Sequence, residues 1–270
     1  MADSLSERFL AMHHRTSPLL MPNPWDVGSA KILESLGFEA LATTSSGFAG
    51  TLGRLDGGVT RDEALDHAHA LATAVSIPVS ADLENCFADA PNGVAETVRL
   101  AAQTGLAGCS VEDYRGPGDD PIYGRELAAD RVRAAAEAAH GGENTLVLTG
   151  RAEGYLRGVH DLTDTIERLQ AYQGAGADVL FAPGVTDLDE LRTLVAAVDR
   201  PVKVLPTAAT ASVAELAAIG VRRISVGGSL YAVANAAVVA AATELRERGT
   251  FGYRSTVPDG IAAARAAFGA

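Results

Sequence analysis

The sequence contains few of the residues that mark small secreted proteins or membrane proteins. Its 270 residues include only two cysteines, Cys86 and Cys109, which excludes a disulfide framework and the common four-ligand structural zinc sites. No segment approaches the roughly 18 uninterrupted apolar residues that a membrane-spanning helix needs. The N-terminal segment is charged and lacks the apolar core and cleavage site of a signal peptide. We therefore expect a soluble, cytoplasmic, globular protein without a membrane partner.

Positive charge is also scarce. Lysine and arginine total 22 residues against 34 aspartates and glutamates, so the formal net charge is −12 at pH 7. Surfaces that bind nucleic acids are basic, so we predict no nucleic-acid partner. An acidic protein can still bind a small anion where a cation or backbone amides reverse the local potential. A site for such an anion would combine acidic metal ligands with an arginine.

Short apolar segments alternate with longer segments of helical period, which is typical of βαβ units around a parallel sheet. The predicted strands are 19–22, 40–44, 79–82, 108–112, 145–149, 178–182, 202–206 and 223–226. Their nearly continuous apolar character is expected when helices cover a barrel and side chains fill it. Eight such units predict a (β/α)₈ TIM barrel. An open doubly wound sheet is the alternative, although no Gly-x-Gly-x-x-Gly follows the first strand.

The pattern predicts one domain over residues 1–270. An additional N-terminal helix is predicted over 1–16 and a C-terminal extension over 250–270, which ends in a short alanine-rich helix.

Acidic residues follow the predicted strands, where barrel enzymes carry their chemistry. Asp82 and Glu84 follow strand three, Glu112 ends strand four, and Asp56 lies on the loop after strand two. Carboxylates in one cleft repel one another unless a cation binds, and hard oxygen ligands suit Mg²⁺ or Mn²⁺. We therefore predict a metal site formed by Asp82, Glu84 and Glu112, with Asp56 as a candidate proton-transfer residue.

An arginine and small polar residues are expected beside this metal site. Arg151 follows strand five and supplies a planar fork suited to a carboxylate or phosphonate. Ser45, Ser46 and Gly47 follow strand two, and the Ser46 and Gly47 amides are a candidate cradle for a second anionic group. Thr207 follows strand seven. This combination predicts a site for a chelating dianion, such as a 2-oxo acid or an enolpyruvate.

Structural explanations compete with these functional ones. Acidic residues at strand ends often cap the next helix, and Arg151 is also a candidate for a structural ion pair. Glu153 is then the residue that orients Arg151. Cys109 lies inside strand four and is expected to pack in the core. Cys86 is assigned to packing as well, because no histidine and asparagine pair for a thiol nucleophile is evident.

Six sequence motifs occur in an order that is specific when they are taken together. They are NPWDVGSA (23–30), TTSSGFAG (43–50), SADLENCFAD (80–89), GCSVEDY (108–114), TGRAEGYL (149–156) and AGADVLFAPG (175–184). Through them the sequence resembles the isocitrate lyase/phosphoenolpyruvate mutase superfamily, and most of all its phosphoenolpyruvate-mutase-like branch. The resemblance implies a Mg²⁺-dependent barrel that stabilises an enolate-type or metaphosphate-type species beside the metal.

The resemblance also implies roles for single residues. Asp82 matches the principal metal ligand of the family, while Glu84 and Glu112 match acidic positions that reach the ion through water. Ser46 and Gly47 match the backbone cradle for the substrate carboxylate.

Two further implications concern the substrate and the assembly. Arg151 matches the arginine that clamps the substrate, and Asp56 matches an acidic residue on the second loop. Family members are typically homotetramers, dimers of dimers that exchange their last barrel helix. That helix corresponds here to about residues 229–248.

The loop after strand four departs from the family's known chemistries. Isocitrate and methylisocitrate lyases carry Lys-Lys-Cys-Gly-His or a close relative there, with the cysteine as catalytic acid, and phosphonate-forming mutases use a lysine and an asparagine. Here the loop Tyr114–Pro121 contains no lysine, cysteine, histidine or asparagine. After strand six, Pro183 and Gly184 replace the histidine and serine of a mutase. Glu84 replaces the usual aspartate, and Cys86 stands where many relatives have glycine.

These observations predict a Mg²⁺-dependent lyase that cleaves a C–C bond of a small 2-oxo or 2-hydroxy dicarboxylate through an enolate. The predicted catalytic residues are Asp56, Arg151 and Glu112, and the predicted substrate-binding residues are Ser45, Ser46, Gly47, Arg151 and Thr207. Two alternatives stay open: phosphoenolpyruvate or phosphonopyruvate chemistry as a mutase or hydrolase, and a non-catalytic barrel that only binds a metabolite. The missing loop acid further predicts negligible turnover of isocitrate and methylisocitrate.

Overall fold

The computed structural model describes residues 4–269. Its eight strands are Leu19–Met21 (β1), Leu41–Ala42 (β2), Val79–Asp82 (β3), Gly108–Glu112 (β4), Val147–Arg151 (β5), Val179–Phe181 (β6), Val202–Val204 (β7) and Arg223–Ser225 (β8). Its α-helices are Leu5–Met12 (α1), Val27–Ser35 (α2), Ser45–Thr51 (α3), Arg61–Ala74 (α4), Pro91–Ala101 (α5), Arg125–His140 (α6), Leu162–Gly174 (α7), Leu188–Ala196 (α8), Val213–Ala218 (α9), Ser229–Arg248 (α10) and Val257–Phe268 (α11). Two short 3₁₀ helices span Gly154–Arg157 and Gly252–Thr256.

The eight strands form one parallel sheet that is almost closed into a barrel. The order is β1-β8-β7-β6-β5-β4-β3-β2, with every neighbouring pair parallel. Between β1 and β2 the amide of Ala42 donates to the carbonyl of Pro22 at 3.1 Å. The Asn23 side chain adds a bond to the Thr43 carbonyl at 2.8 Å and accepts from the amide of Gly227 at 2.8 Å. The predicted TIM barrel is confirmed, and the open doubly wound sheet is excluded.

The N-terminal helix α1 closes the bottom of the barrel. Ser4 caps it and Glu7 returns a bond to the Ser4 amide, which is the reciprocal capping box expected at a helix start. Phe9 and His13 are fully buried, and Phe9 packs with apolar residues in or beside several strands, among them Leu19 and Val147. The helix spans Leu5–Met12, inside the predicted 1–16, and residues 1–3 of that prediction lie outside the described residues.

Strand β5 begins two residues later than the sequence pattern predicts. It spans Val147–Arg151 rather than 145–149. The Thr145 hydroxyl instead bonds the hydroxyl of Ser6 on α1 at 2.7 Å, so this residue belongs to the closure of the barrel bottom. Arg151 is consequently the last residue of the strand, paired in register with Glu112 and Phe181.

The C-terminal segment contains two helices that differ in their packing. Helix α11 packs against α2, and the Phe268 ring lies beside Gly28. The 20-residue helix α10 has no buried residue among those described. Its start is held by Tyr231, which packs against Gly50 and the Trp25 ring. Among residues 4–269, no helix combines the length and apolarity needed to cross a bilayer.

Candidate active site

Two neighbouring cavities open at the carboxyl ends of the strands. The inner one, about 150 Å³, lies within the barrel mouth, and the outer one, about 440 Å³, lies beneath the loop after β4. Ser45, Asp56 and Arg151 line both of them. A barrel of this type is expected to carry its active site at this end.

One side of the mouth is acidic, and we call Asp82, Glu84 and Glu112 the acidic wall. Asp82 ends β3 and Glu112 ends β4. Glu84 lies in a tight turn, where it and the nearby Cys86 have positive φ angles of 51° and 59°. Such angles are unfavourable for residues with a Cβ, so surrounding contacts must hold the turn.

The buried Arg131 of α6 holds that turn. One of its guanidinium nitrogens donates to the Ala88 carbonyl and the other to the Glu112 carbonyl, each at 3.0 Å. The guanidinium also lies over the Tyr123 ring, 3.9 Å from its centroid. Arg131 thus ties the β3 loop to the end of β4 and fixes the relative positions of Glu84 and Glu112.

Arg151 connects the carboxylates of the site. Its Nη1 lies 3.3 Å from Asp82 Oδ1 and 3.1 Å from Glu112 Oε2. Its Nε donates to Glu153, and Glu153 is fully buried and also binds Arg157. Glu153 therefore orients Arg151, as proposed from the sequence. The Nη1 atom of the arginine then faces Asp82 and Glu112.

The charges of the acidic wall are not fully compensated within the described residues. Burial raises the pKa of Glu84 to about 7, and the charges of Asp82 and Asp56 add to that increase. Burial also raises the pKa of Glu112 well above its usual value, despite the attraction of Arg151. For Asp82, by contrast, the effect of burial is outweighed by Arg151 and other nearby cations, so its pKa is lowered.

This donor set fits a hydrated divalent cation. Among residues 4–269, no three Asp, Glu, His or Cys side chains converge closely enough to hold an ion by themselves. Mg²⁺ typically binds through one or two carboxylates and keeps several waters. Asp82 would be the direct ligand, and Glu84 and Glu112 would act through water. A divalent ion beside these two glutamates would favour their ionised forms, which burial disfavours here.

The loop after β2 contributes polar groups, but not all of its amides are free. Ser45 Oγ donates to Asp82 Oδ2 at 3.1 Å, and Ser46 lines the inner cavity. The Gly47 amide donates to the hydroxyl of Thr44, the N-cap of α3, at 3.3 Å. A Cβ at Gly47 would lie only 2.5 Å from the Thr44 side chain. Close packing therefore requires glycine at position 47, and its amide points to the cap rather than to the cavity.

Asp56 and Thr207 occupy different positions relative to the site. Asp56 is exposed and borders both cavities, so the structure brings it to the mouth. Thr207 is also exposed, but it lines neither cavity, and its Oγ1 lies 3.2 Å from the hydroxyl of Thr210. The structure does not bring Thr207 to the other predicted site residues.

The two cysteines and the neighbouring Asp113 have structural roles here. Cys86 and Cys109 are fully buried in the core, and burial raises the pKa of the Cys86 thiol to about 12. The buried Asp113 accepts from the Tyr172 hydroxyl at 2.6 Å and from the amide of Glu153 at 2.8 Å. Asp113 thus fixes the loop that follows Arg151.

Sequence reasoning missed two cations at the bottom of the inner cavity. We call Lys203 on β7 and Arg223 on β8 the basic floor. The side chains line the inner cavity, together with Phe181 of β6, and neighbouring strands place them in register, Phe181 beside Lys203 and Lys203 beside Arg223. The available signal was one charged residue within each of these two predicted strands, because lysine and arginine are seldom buried unless they are paired.

The loop after β4 covers the outer cavity. Tyr114 pairs with Ile122 across a short antiparallel bridge, and the Arg115 amide donates to the Pro121 carbonyl at 2.9 Å. The Arg157 guanidinium lies 3.5 Å from the centroid of the Tyr114 ring. The loop is therefore a folded hairpin that presents an aromatic ring and an arginine, and no thiol, to the cavity.

Comparison with known proteins identifies the family of the chain. The family model described as phosphoenolpyruvate phosphomutase matches residues 9–246. A crystal structure from Burkholderia cenocepacia, provisionally described as a lyase/mutase, is 50% identical, with a TM-score of 0.90 over 93% of this chain and 90% of that one. The structure of oxaloacetate acetylhydrolase with its product oxalate is 26% identical, with a TM-score of 0.83 over 92% and 89% of the two chains.

Curated relatives show the same family. An uncharacterized protein of Mycobacterium tuberculosis is 35% identical over 236 residues, which cover 85% of this chain and 87% of that protein. The 2-methylisocitrate lyase of Escherichia coli is 30% identical over 207 residues, 74% of this chain and 69% of the enzyme. An oxaloacetate decarboxylase of a Bradyrhizobium species is 30% identical over 227 residues, 82% and 75% of the two chains. The resemblance seen in the sequence motifs is confirmed, and the chain belongs to the phosphoenolpyruvate mutase/isocitrate lyase superfamily.

Proposed function

We propose that the protein is a Mg²⁺-dependent lyase that cleaves a C–C bond of a small 2-oxo or 2-hydroxy dicarboxylate. The observation that carries this proposal is the position of Arg151, whose Nη1 lies within hydrogen-bonding distance of Asp82 and Glu112 at the barrel mouth. A metal site and a carboxylate-binding arginine at one place suit a substrate that chelates through a 2-oxo acid group. The superfamily contains C–C lyases among the relatives of this chain.

Each side chain of the site has a distinct task in this proposal. When bound, Mg²⁺ polarises the 2-oxo oxygen and stabilises the negative charge that develops there. Arg151 neutralises the adjacent carboxylate, held in place by Glu153. The Ser45 hydroxyl bonds Asp82 and keeps that carboxylate directed to the mouth. Ser46 contributes a polar contact at the inner cavity.

Proton transfer at the outer cavity is assigned to Asp56. It borders both cavities from an exposed loop, so it can exchange protons with solvent. Glu112 stays beside Arg151 at 3.1 Å and completes the acidic wall.

The loop after β4 makes isocitrate a poor substrate. Cleavage of isocitrate produces a dicarboxylate carbanion that a positioned acid must protonate. The loop Tyr114–Pro121 offers no thiol, and Cys86 is buried in the core. General acid catalysis contributes about 10²–10⁴-fold, so isocitrate and methylisocitrate turnover should be negligible while binding of small 2-oxo acids is retained.

A panel experiment tests the proposal. Purified protein with Mg²⁺ is incubated with 2-oxo and 2-hydroxy dicarboxylates, and NMR follows product release and deuterium uptake at carbon. Cleavage of at least one dicarboxylate with deuterium in the product is the expected result. Saturable binding without turnover over the whole panel would instead support a barrel that only binds a metabolite. Glyoxylate release from isocitrate at about 1 s⁻¹ or faster would contradict the assignment of the loop.

Phosphorus chemistry is the second candidate, favoured by the family model that matches residues 9–246. The same arginine and metal site suits a phosphonate group as well as a carboxylate. A change of the ³¹P signal with phosphonopyruvate, and no cleavage of oxaloacetate, would favour it over the lyase.

We also propose a homotetramer that exchanges the last barrel helix between subunits. Helix α10 buries none of its residues within the described part of the chain, and Val233, Val238 and Val239 are each about two-thirds exposed. Burial of these side chains against a second copy would remove that apolar surface from water. Light scattering at micromolar concentration should give four times the mass of the chain, and a monomer would contradict the exchange.

A further inference from the structure

The inner cavity ends in two buried cations, the basic floor formed by Lys203 and Arg223. The side chains lie on neighbouring strands and pair in register. Lys203 is 9% exposed and Arg223 is 2% exposed. Burial of a single unpaired cation typically costs several kcal/mol, so two adjacent ones in the barrel interior need an explanation.

Neither cation has an anionic partner among residues 4–269. The Lys203 ammonium lies over the Phe181 ring, 3.9 Å from its centroid, and makes no hydrogen bond or ion pair with any described residue. Arg223 makes a single long bond, from Nη1 to the Thr149 hydroxyl at 3.4 Å, and its Nε is buried without a partner. The neighbouring Ser225 hydroxyl is also buried and unpartnered.

The carboxylate whose charge acts most strongly on the floor is already engaged elsewhere. The charge of Asp82 favours the protonated forms of Lys203 and Arg223. The oxygens of Asp82, however, contact Ser45 and Arg151. Burial and mutual repulsion hold the pKa of Lys203 well below its usual value, and burial lowers the pKa of Arg223 to about 9. The described part of the chain therefore offers the floor no ion pair, and a bound anion would favour the protonated forms of Lys203 and Arg223.

The surroundings of the floor suit a small oxyanion. Ser80, Ser110 and Ser225 line the same cavity, and hydroxyl groups beside an ammonium and a guanidinium are the donors that bind carboxylates. The cavity volume of about 150 Å³ accommodates one end of a small dicarboxylate rather than a bulky group. Arg151 and Asp82 of the acidic wall line this cavity too, and Glu84 and Glu112 line the outer cavity beside it.

We propose that the basic floor binds the second carboxylate of a dianionic substrate, whose 2-oxo acid end lies at Arg151 and the acidic wall. This inference rests on the proposed function and adds the reason for its substrate class. A monoanionic 2-oxo acid such as pyruvate leaves the floor without an anion, whereas a dicarboxylate neutralises it. Lys203 and Arg223 are then specificity-determining residues, since they select dicarboxylates over monocarboxylates.

The test compares two ligands that differ by one carboxylate. Calorimetry with Mg²⁺ measures the affinities of pyruvate and oxaloacetate for the wild-type protein and for Lys203→Met. Hydrogen bonds between charged groups correspond to about a 10- to 100-fold change in affinity. We expect Lys203→Met to lower the preference for oxaloacetate by that factor and to change the affinity for pyruvate less than threefold. Lys203→Arg should retain most of the preference.

The chain offers a matched control, because Lys31 is its only other lysine. Lys31→Met on α2 should leave both affinities unchanged. Thermal unfolding shows whether each variant is folded. Lys203→Met should be at least as stable as the wild type because it removes a buried cation. Equal loss of both ligands in a folded Lys203→Met protein, or an unchanged preference, would overturn the proposal.

The other ligand that could bind the floor is a free inorganic anion rather than a substrate carboxylate. Sulfate without Mg²⁺ is titrated against the wild type and Lys203→Met, with the unfolding temperature as the readout. If sulfate binds at Lys203 while the oxaloacetate preference is unaffected by the substitution, the floor is a free-anion site and the substrate assignment fails. If the preference depends on Lys203 but no dicarboxylate is cleaved, the floor is upheld and the proposed lyase activity is what fails.

Discussion

The two ends of the cavity at the barrel mouth carry opposite charge. The acidic wall comes from the ends of β3 and β4 and the loop after β3, where Glu112 is buried and Asp82 and Glu84 are half-buried. The basic floor comes from β7 and β8, deeper in the barrel, and touches no described anion. Arg151 lies between them and contacts the wall directly.

This difference indicates two separate requirements for a ligand. A divalent cation would favour the ionised forms of the wall's glutamates, whose pKa values burial raises, whereas an anion would pair with the cations of the floor. A metal ion and a dicarboxylate together would satisfy both, and neither would do so alone. Under the proposed function, the charges of the two regions would couple metal binding to the choice of substrate.

The largest expected effect comes from removal of the carboxylate that would bind the metal directly. Asp82→Ala should abolish Mg²⁺-dependent binding of oxalate, because Asp82 would be the direct ligand and Glu84 and Glu112 would reach the ion only through water. Calorimetry with Mg²⁺ and oxalate measures this. Asp66→Ala, at an exposed acidic residue of α4, serves as the control. Unchanged affinity for both ligands in a folded Asp82→Ala protein would show that the wall is not a metal site.

Substitution of the arginine between the two regions should separate catalysis from metal binding. Arg151→Gln removes a preorganised donor to the substrate carboxylate, which typically costs on the order of 10²–10³ in kcat. Mg²⁺ affinity should not fall, since Asp82 and Glu112 lose a competing cation. Steady-state rates and Mg²⁺ titrations check both parts, with Arg99→Gln, exposed on α5, as the control. Loss of metal binding together with activity would mean that Arg151 mainly holds the wall in shape.

The pH dependence of stability should report on the positive potential beneath the floor. Burial, with a contribution from Arg223, lowers the pKa of His13 to about 3, so this histidine is neutral in the folded state. The stabilising contribution is complete above the unfolded pKa of 6.5 and is lost as the pH falls from 6.5 towards 3. Between pH 7 and pH 5 the free energy of unfolding should decrease by about 2 kcal/mol from this group.

Chemical denaturation of two neighbouring variants measures that contribution. His13→Phe should flatten the pH dependence between 7 and 5 by about 2 kcal/mol. His14→Phe changes an exposed residue and should keep the wild-type dependence. If His13→Phe and the wild type lose the same stability on acidification, His13 is not held neutral by its surroundings.

The smallest effect is expected at the residue that lies outside both regions. Thr207→Val should change KM and kcat less than about twofold, as is usual for exposed substitutions away from a site. Thr207 is exposed and its hydroxyl contacts Thr210 rather than a cavity. Steady-state kinetics on the cleaved dicarboxylate decide the point. A loss above tenfold would mean that the loop after β7 moves onto the bound substrate.

The acidic wall was predictable from the sequence, and the basic floor was not. Asp82, Glu84 and Glu112 stand at or just beyond the ends of apolar segments, so a barrel places them at one mouth whatever the exact register. Lys203 and Arg223 are each a single charge in a separate strand, 20 positions apart. Only the lateral pairing of β7 with β8 makes them neighbours.

Local contacts explain two positions that differ from expectation. Strand β5 begins two residues later than predicted, which leaves its side chains on the same faces because strands have a period of two, and Thr145 bonds to Ser6 instead. Gly47 follows a strand end as the pattern predicts, yet the cap at Thr44 engages its amide. Such local bonds depend on side chains brought together by folding.

By itself, the sequence determined the eight alternating units, the N-terminal helix, the superfamily and the acidic residues at the strand ends. These features depend on local periodicity and on short motifs, and neighbours along the chain suffice to encode them. Only the tertiary structure decided that Arg151 joins Asp82 and Glu112, that Thr207 stays outside, and that Lys203 and Arg223 form one floor. Those relations join distant strands, and the closure and register of the barrel fix them through hydrogen bonds that no local pattern contains.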